Sequence, residues 1–265
     1  MNLERSRSAA AHLLWLDETG STNDELRSRA ASAPGEWPHL SVVATANQTA
    51  GRGRLGRVWV APPGKTLAAS TLVDVRTIDA ESLGWVSLIA GVAIARAVRA
   101  LVPASVSVGV KWPNDVLVDG AKVSGILAER MPDGRVIIGT GVNLLLTAEE
   151  LPTTTSTSIA LLGGDGDFDA LLAAYLRELD ALLDAFRASG GDAESSGVRA
   201  AVLAECLTLG RTVSVERPAV APVVGLAADL DRDGRLVVEP PAGSGEPAGH
   251  ARLVVAVGDV THLRH

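Results

Sequence analysis

VSVGVKWPNDVLVDGAKVSGILAERMPDGRVIIGTGVN, residues 106–143, decides the fold. Val106, Val108 and Val110 alternate as a half-buried strand does, and the chain then enters a polar corner, Lys111-Trp112-Pro113-Asn114-Asp115. The proline restricts the residue before it to extended backbone, so the strand ends there rigidly. Val116-Leu117-Val118 runs into Asp119-Gly120, a dipeptide suited to a tight hairpin, and residues 122–129 return as its second arm with Lys122 at the start. Pro132-Asp133-Gly134 makes a further turn into residues 135–143, where Gly139 and Gly141 allow another group to approach the backbone closely. The polar spots between these arms therefore converge on one sheet.

Upstream, residues 48–59 read QTAGRGRLGRVW. Glycines and arginines interleave with no apolar face to bury, so this is a loop that works rather than one that packs. No Asp or Glu lies between Glu36 and Asp74, although the chain's net charge is −7, and Arg52, Arg54, Arg57 and the nearby Lys65 concentrate positive charge. Gly51 and its neighbours let backbone approach a ligand, and guanidinium forks hold carboxylate or phosphate oxygens, phosphate leading. Having no acidic residue close in sequence, the arginines are expected to repel one another until an anion arrives, and the loop to close over that anion. Trp59 has two open readings: a core residue, or a face that stacks on a flat base.

Around these stretches the pattern is alternately helical and extended. Ser21-Thr22-Asn23-Asp24-Glu25 looks like a helix cap with early acidic residues, and the same exposed N–H groups could receive a ligand. The main domain is expected to begin there. Residues 40–46 and 66–73 read as strands, residues 81–101 as a deeply buried helix and residues 168–187 as an amphipathic one. From residue 206 onward the composition turns to β, so the chain divides into residues 1–205 and a small β module, residues 206–265.

Several functions are excluded. The single cysteine, Cys206, read as a buried thiol, rules out an intrachain disulfide and multi-cysteine metal sites. The apolar run from Leu88 to Ala95 is too short to span a membrane, and the N-terminus lacks a signal-peptide apolar region, so no membrane partner and a cytoplasmic location are expected. An acidic chain argues against general nucleic-acid binding. Pro63-Gly64-Lys65-Thr66 imitates the end of a P-loop, but Trp59 stands where that pattern needs glycine. Asp229, Asp231, Asp233 and Gly234 imitate an EF-hand opening, but Pro240 falls where the bidentate glutamate belongs, leaving a hairpin turn.

Gly51-Arg-Gly-Arg-Leu-Gly-Arg57 with Trp59, the Lys111 to Asp115 corner, Lys122-Val-Ser-Gly-Ile-Leu127 and Gly139-Thr-Gly-Val-Asn143, in this order and behind Ser21-Thr-Asn23, resemble the biotin protein ligases. The resemblance runs from Ser21 to the C-terminus. It implies an α/β (α+β) fold, a mixed-sheet catalytic domain with a small SH3-like β-barrel behind it. The implied reaction joins biotin and ATP into biotinyl-5'-AMP with release of pyrophosphate, then transfers biotin to a lysine of a biotin carboxyl carrier domain of an acyl-CoA or pyruvate carboxylase. Lys122 and Arg54 are the implied catalytic residues. Ser21, Thr22, Asn23, Gln48, Gly51, Arg52, Gly125, Ile126, Leu127 and Gly139 join them around biotin. Arg52, Arg57, Trp59, Lys111, Asn114, Asp115 and Asn143 are implied for the adenylate, with Trp59 on the adenine, Asn143 reading its amino group and Asp115 near Mg²⁺. Lys111 is equally readable as structural. The 20 residues before Ser21 are too few for a winged-helix DNA-binding domain, so no DNA partner is expected, and the expected assembly is a monomer or weak homodimer. A lipoate-type ligase and a non-enzymatic anion- or nucleic-acid-binding module are the alternatives.

Overall fold

The computed structural model describes residues 1–59, 61–217, 220–239, 252–256 and 258–263; Pro240, on which the rejection of an EF-hand rests, lies outside them. The chain runs through helix α1 (Glu4–Ala9), strand β1 (His12–Leu16), helix α2 (Thr22–Ser32) and strand β2 (Ser41–Thr45). Two short strands, β3 (Gly51–Arg52) and β4 (Val58–Trp59), pair within the basic loop, and β5 (Thr66–Val73) follows. Helix α3 (Gly84–Arg99) leads into β6 (Val108–Lys111), β7 (Asp115–Val118), β8 (Ala121–Arg130) and β9 (Val136–Asn143). After helices α4 (Phe168–Ala188) and α5 (Val198–Glu205) come β10 (Thr212–Arg217), β11 (Val220–Leu230), β12 (Leu236–Glu239), β13 (Leu253–Val255) and β14 (Asp259–His262).

The main sheet is mixed, in the order β1-β2-β5-β9-β8-β7-β6, with β1 parallel to β2 and the other neighbours antiparallel. The turn residues work as their sequence requires: Asp119 and Gly120 both have positive φ, 48° and 82°, and close the β7–β8 hairpin. One face of the sheet is covered by α3 and α4, which bury Trp85, Ile89, Leu172 and Leu179 against Val42, Ala69, Ile138 and Val142. Helix α3 is apolar enough in composition to cross a membrane, but its apolar residues are used up by this core. On the other face α2 covers only one end, where Leu26 and Ala30 pack on Val43, Leu72 and Ile137.

The start of the main domain at Ser21 is corrected. Strand β1 is the edge of the main sheet, and α1 is tied to α4 by Ser6, whose hydroxyl donates to Asp169 Oδ1 at 2.6 Å. Neither element has enough apolar periodicity to announce itself, because each borrows a core that the rest of the chain has built. Cys206, expected to be buried, is half-buried beside β6. The β11–β12 turn closes as a hairpin, with Asp231 N–H donating to the Arg235 carbonyl.

The C-terminal strands form a second sheet in the order β13-β12-β11-β10-β14. The expected barrel closure is not present among the described residues: no pairing joins β13 to β14. This sheet is fastened to the Lys111–Asp115 corner. Trp112 N–H donates to Thr208 Oγ1 at 2.9 Å, Thr208 Oγ1 lies 3.1 Å from His262 Nε2, and Trp112 Nε1–H donates to the Gly234 carbonyl. Thr208 Oγ1 thus accepts from Trp112 and pairs with the His262 imidazole, whose tautomer sets which of the two donates. Burial first, then Lys111 and Arg211, push the His262 imidazole down to about 4 from an ordinary value of 6.5.

A pH dependence follows. Between pH 6.5 and 4 the unfolded chain takes up a proton at His262 that the folded chain refuses, so stability is full above the upper value and falls as pH falls through this window. Urea unfolding at pH 7.0 and pH 5.0 should show a larger loss for the wild type than for His262→Gln, which cannot protonate. Equal losses would show that His262 is not the titrating group.

Candidate active site

Cross-strand register makes the floor of the site. Three rows cross β5, β9 and β8 on the face that α2 leaves partly open: Leu72-Ile137-Glu129, Ser70-Gly139-Leu127 and Ala68-Gly141-Gly125. Bulk falls along the strands from the first row, under α2, to the third, and a cleft opens where the side chains disappear. Gly139 and Gly141 are required here. Asn23 lies directly over Gly139, and a Cβ on Gly141 would meet the Trp59 indole at about 2.5 Å. The sequence signal of two glycines in a strand had this cause.

At the α2 end the cleft is polar. Ser21 caps the helix, its hydroxyl accepting from Asp24 N–H at 3.4 Å. Thr22 N–H donates to Gln48 Oε1 at 2.9 Å, and Asn23 Nδ2 donates to Glu129 Oε2 at 2.6 Å. Gly125, Ile126 and Leu127 complete this wall from β8. Gly51 does not line the cleft. It lies against Gln48 and the Trp59 carbonyl, where a side chain would not fit, so its part is to let the β3–β4 hairpin sit down on Gln48.

At the other end the cleft is cationic. Lys122 Nζ pairs with Asp115 Oδ1 at 2.6 Å, across the β7–β8 hairpin, with Lys111 and Arg57 nearby. Burial first lowers the pKa of Lys111, Asp115 raises it, and Lys122 and Arg57 lower it further. Arg54 comes down from the hairpin to donate to Asn114 Oδ1 at 2.9 Å, and Asn114 is itself held by its Nδ2 on the Ile126 carbonyl at 3.0 Å. Burial also lowers the Arg54 pKa, against Asp115 and together with Arg57, but a guanidinium stays charged in a protein. Trp59 is half-buried over the glycines at the centre, and its Nε1 is buried with no partner among the described residues. This places it in the cleft wall instead of the main core.

Three expectations need correction. The loop arginines do not stand unpaired: Arg52 makes a two-pronged pair with Asp24 at 2.5 and 2.6 Å, and Arg57 pairs with Asp259 of β14. Asp259 lies 202 positions away in sequence, so the local absence of acid said nothing about the folded loop. Within the loop β3 and β4 pair, which gives the working loop a hairpin frame. Lys65 is turned away to Glu150 at 3.7 Å and takes no part in the cleft. Asn143 is 2% exposed and its Nδ2 donates to the Thr157 carbonyl at 2.9 Å, so it is covered by the segment 155–157 and does not line the cleft. That same segment brackets Lys122, whose N–H donates to the Thr155 carbonyl and whose carbonyl accepts from Thr157 N–H, both at 2.8 Å.

The structure also brings in residues the sequence reading missed. Ser70, buried under α2, contacts Thr22 and Asn23, and Glu129 holds Asn23 and Arg27. Ser70 was readable as a polar residue between Ala68 and Leu72 on the cleft face of β5. Glu216, Asp259, Val260 and Thr261 close the cationic end from the second sheet, and nothing local in sequence could have placed them there.

A mixed sheet, a cleft on its uncovered face, and an arginine hairpin folded over a lysine are the arrangement of an α/β ligase, and residues 19–143 match the biotin/lipoate A/B protein ligase family. The chain is 37% identical over 248 residues to the biotin--[acetyl-CoA-carboxylase] ligase of Mycobacterium tuberculosis, covering 93% of this chain and 87% of that protein. It is 33% identical over 241 residues to the ligase of the same description from Paracoccus denitrificans, covering 86% and 94%. The chain belongs to the biotin--[acetyl-CoA-carboxylase] ligases. Among solved structures, the fold is shared with Aquifex aeolicus biotin protein ligase in complex with biotin and ATP, at a TM-score of 0.75 and 24% identity over 96% of this chain and all of that one. The biotin protein ligase of Leishmania major in complex with biotinyl-5-AMP aligns at a TM-score of 0.59 and 25% identity, over 96% and 99%.

Proposed function

We propose that this protein activates biotin with ATP as biotinyl-5'-AMP, releasing pyrophosphate, and transfers biotin to a lysine of a biotin carboxyl carrier domain. The observation that carries the reading is the division of one cleft into a polar end built on Thr22, Asn23 and Gln48, where Arg52 is neutralised by Asp24, and a cationic end built on Arg54, Lys111 and Lys122. A biotin carboxylate and the α-phosphate of ATP repel each other, so the site must neutralise both and hold them in line. Lys122 lies where the two ends meet. Its ammonium, held against Asp115, neutralises the attacking carboxylate and the phosphoryl oxygens as the P–O bond to pyrophosphate breaks. In the second step the carrier amine attacks the acyl carbon, and AMP leaves with the electron pair.

Asp115 would be the carboxylate to hold a Mg²⁺ ion together with substrate phosphates, the arrangement usual for ATP sites, and would share that carboxylate with Lys122, which pairs with its Oδ1. The ion would screen the phosphates. The carrier domain belongs to an acetyl-CoA carboxylase by analogy with the relatives' names; a pyruvate carboxylase carrier, a monomer or weak homodimer, a cytoplasmic location and a domain division at residue 206 complete the reading.

The test is pyrophosphate release from ATP with biotin or lipoate and no nucleic acid present. Release with biotin alone is expected; release with lipoate alone, or none with either, would overturn the reading. Within it, Trp59 stacks on adenine, so Trp59→Ala should weaken ATP by about 1–3 kcal/mol and biotin far less. Isothermal titration with each ligand checks this, and equal weakening of both would return Trp59 to a packing role.

A further inference from the structure

The cleft floor under α2 is a chain of hydrogen bonds whose direction can be worked out. Glu129 is the starting point. Its Oε2 accepts from Arg27 at 2.8 Å and from Asn23 at 2.6 Å. A carboxylate oxygen there admits only a donor, so the Asn23 amide must present Nδ2 to Glu129 and Oδ1 to the other side. On that side stands Ser70 Oγ at 2.6 Å. Asn23 Oδ1 cannot donate, so the single Ser70 proton is committed to it.

Ser70 Oγ also lies 2.7 Å from Thr22 Oγ1. With the Ser70 proton used, only the Thr22 hydroxyl proton can fill this contact, and Thr22 therefore donates to Ser70. The Thr22 proton is then not available to Gln48 Oε1, 3.1 Å away on the cleft side. Gln48 is oriented just as firmly, because Thr22 N–H donates to Oε1 at 2.9 Å. Two acceptor oxygens, Thr22 Oγ1 and Gln48 Oε1, are left side by side in the cleft wall without a proton between them. They call for a donor from the ligand.

We propose that Glu129 and Ser70, neither of which need touch the ligand, are positioning residues that set the hydrogen-bond polarity of Thr22 and so make the cleft select a ring carrying an N–H. The inference rests on the reading that biotin, whose ureido ring carries two N–H groups, occupies this end. Thiol or disulfide heads offer no such donor. Without the chain from Glu129, the Thr22 hydroxyl could turn to Gln48 and close the pair of acceptors on itself.

The experiment is a cycle between residue and ligand atom. Biotin and a biotin derivative methylated on the ureido nitrogens are titrated calorimetrically into the wild type, Ser70→Ala and Glu129→Gln. The wild type should prefer biotin by about tenfold or more, since a site built to receive a hydrogen bond rejects a ligand that lacks it. In Ser70→Ala the preference should shrink to about threefold or less, and Glu129→Gln, whose neutral amide no longer dictates the Asn23 orientation, should reduce it in the same direction. A merely structural role would weaken both ligands equally and leave the ratio at its wild-type value, which would overturn the proposal. So would a wild type that binds both ligands alike. If Ser70→Ala does not fold, Glu129→Gln alone decides between these outcomes. A wild type that binds no biotin would overturn the functional reading itself, a failure visible before any variant is made.

Discussion

Lys122→Ala should lower biotinyl-5'-AMP synthesis by about a hundredfold or more, the scale on which loss of one preorganised stabilising group is felt. The structure strengthens the expectation beyond the loss of a cation. Lys122 neutralises Asp115 at 2.6 Å, so its removal leaves an uncompensated carboxylate facing the place where two anionic substrates must meet. Repulsion is added to lost attraction. The double variant Lys122→Ala, Asp115→Asn should therefore recover part of the rate, which a simple loss of folding would not allow. Pre-steady-state measurement of pyrophosphate release in the wild type and both variants checks this. Near-normal synthesis by Lys122→Ala would remove Lys122 from the chemistry.

Arg54→Gly should uncouple synthesis of the adenylate from its retention. Arg54 is the guanidinium by which the β3–β4 hairpin is anchored to Asn114, and Asn114 in turn is anchored to β8. Arg52 and Arg57 have carboxylate partners in Asp24 and Asp259, whereas Arg54 has the neutral Asn114, so its charge is the one most available to a phosphate. A charge-assisted hydrogen bond contributes about 1.5–3 kcal/mol, so release of the mixed anhydride should speed up by about ten- to a hundredfold. Synthesis should persist, because Lys122 is untouched. Freed biotinyl-5'-AMP would acylate lysines at random, and incubation with biotin, ATP and a bystander protein without a carrier domain should show raised labelling over wild type. Unchanged labelling beside measurable adenylate synthesis would deny the hairpin a retaining role.

Neither variant is expected to act by unfolding. Lys122 and Arg54 are both partly exposed at the cleft, while the stability of the sheet comes from the fully buried Ile89, Val142 and Leu179 behind it.

What the sequence by itself determined were the features made by neighbours in the chain. The Asp119-Gly120 hairpin, the Ser21 cap and the alternation of β6 to β9 depend on backbone conformations and side-chain periods that a few adjacent residues dictate, and the structure has them. From these alone Lys111, Asn114, Asp115 and Lys122 had to come together, since they flank one corner and one hairpin. The glycines in β9 could be seen to leave room for a neighbour, but not for which. Only the tertiary structure decided that Asn23 and Trp59 fill that room, that 155–157 covers Asn143, and that Asp24 and Asp259 answer the loop arginines. The Asn23–Glu129 bond joins residues 106 positions apart and the Arg57–Asp259 pair residues 202 apart. A charge or a hydrogen bond acts through space over a few ångströms regardless of sequence distance, so a loop without local acids can still be neutralised once the sheets that carry those acids have packed.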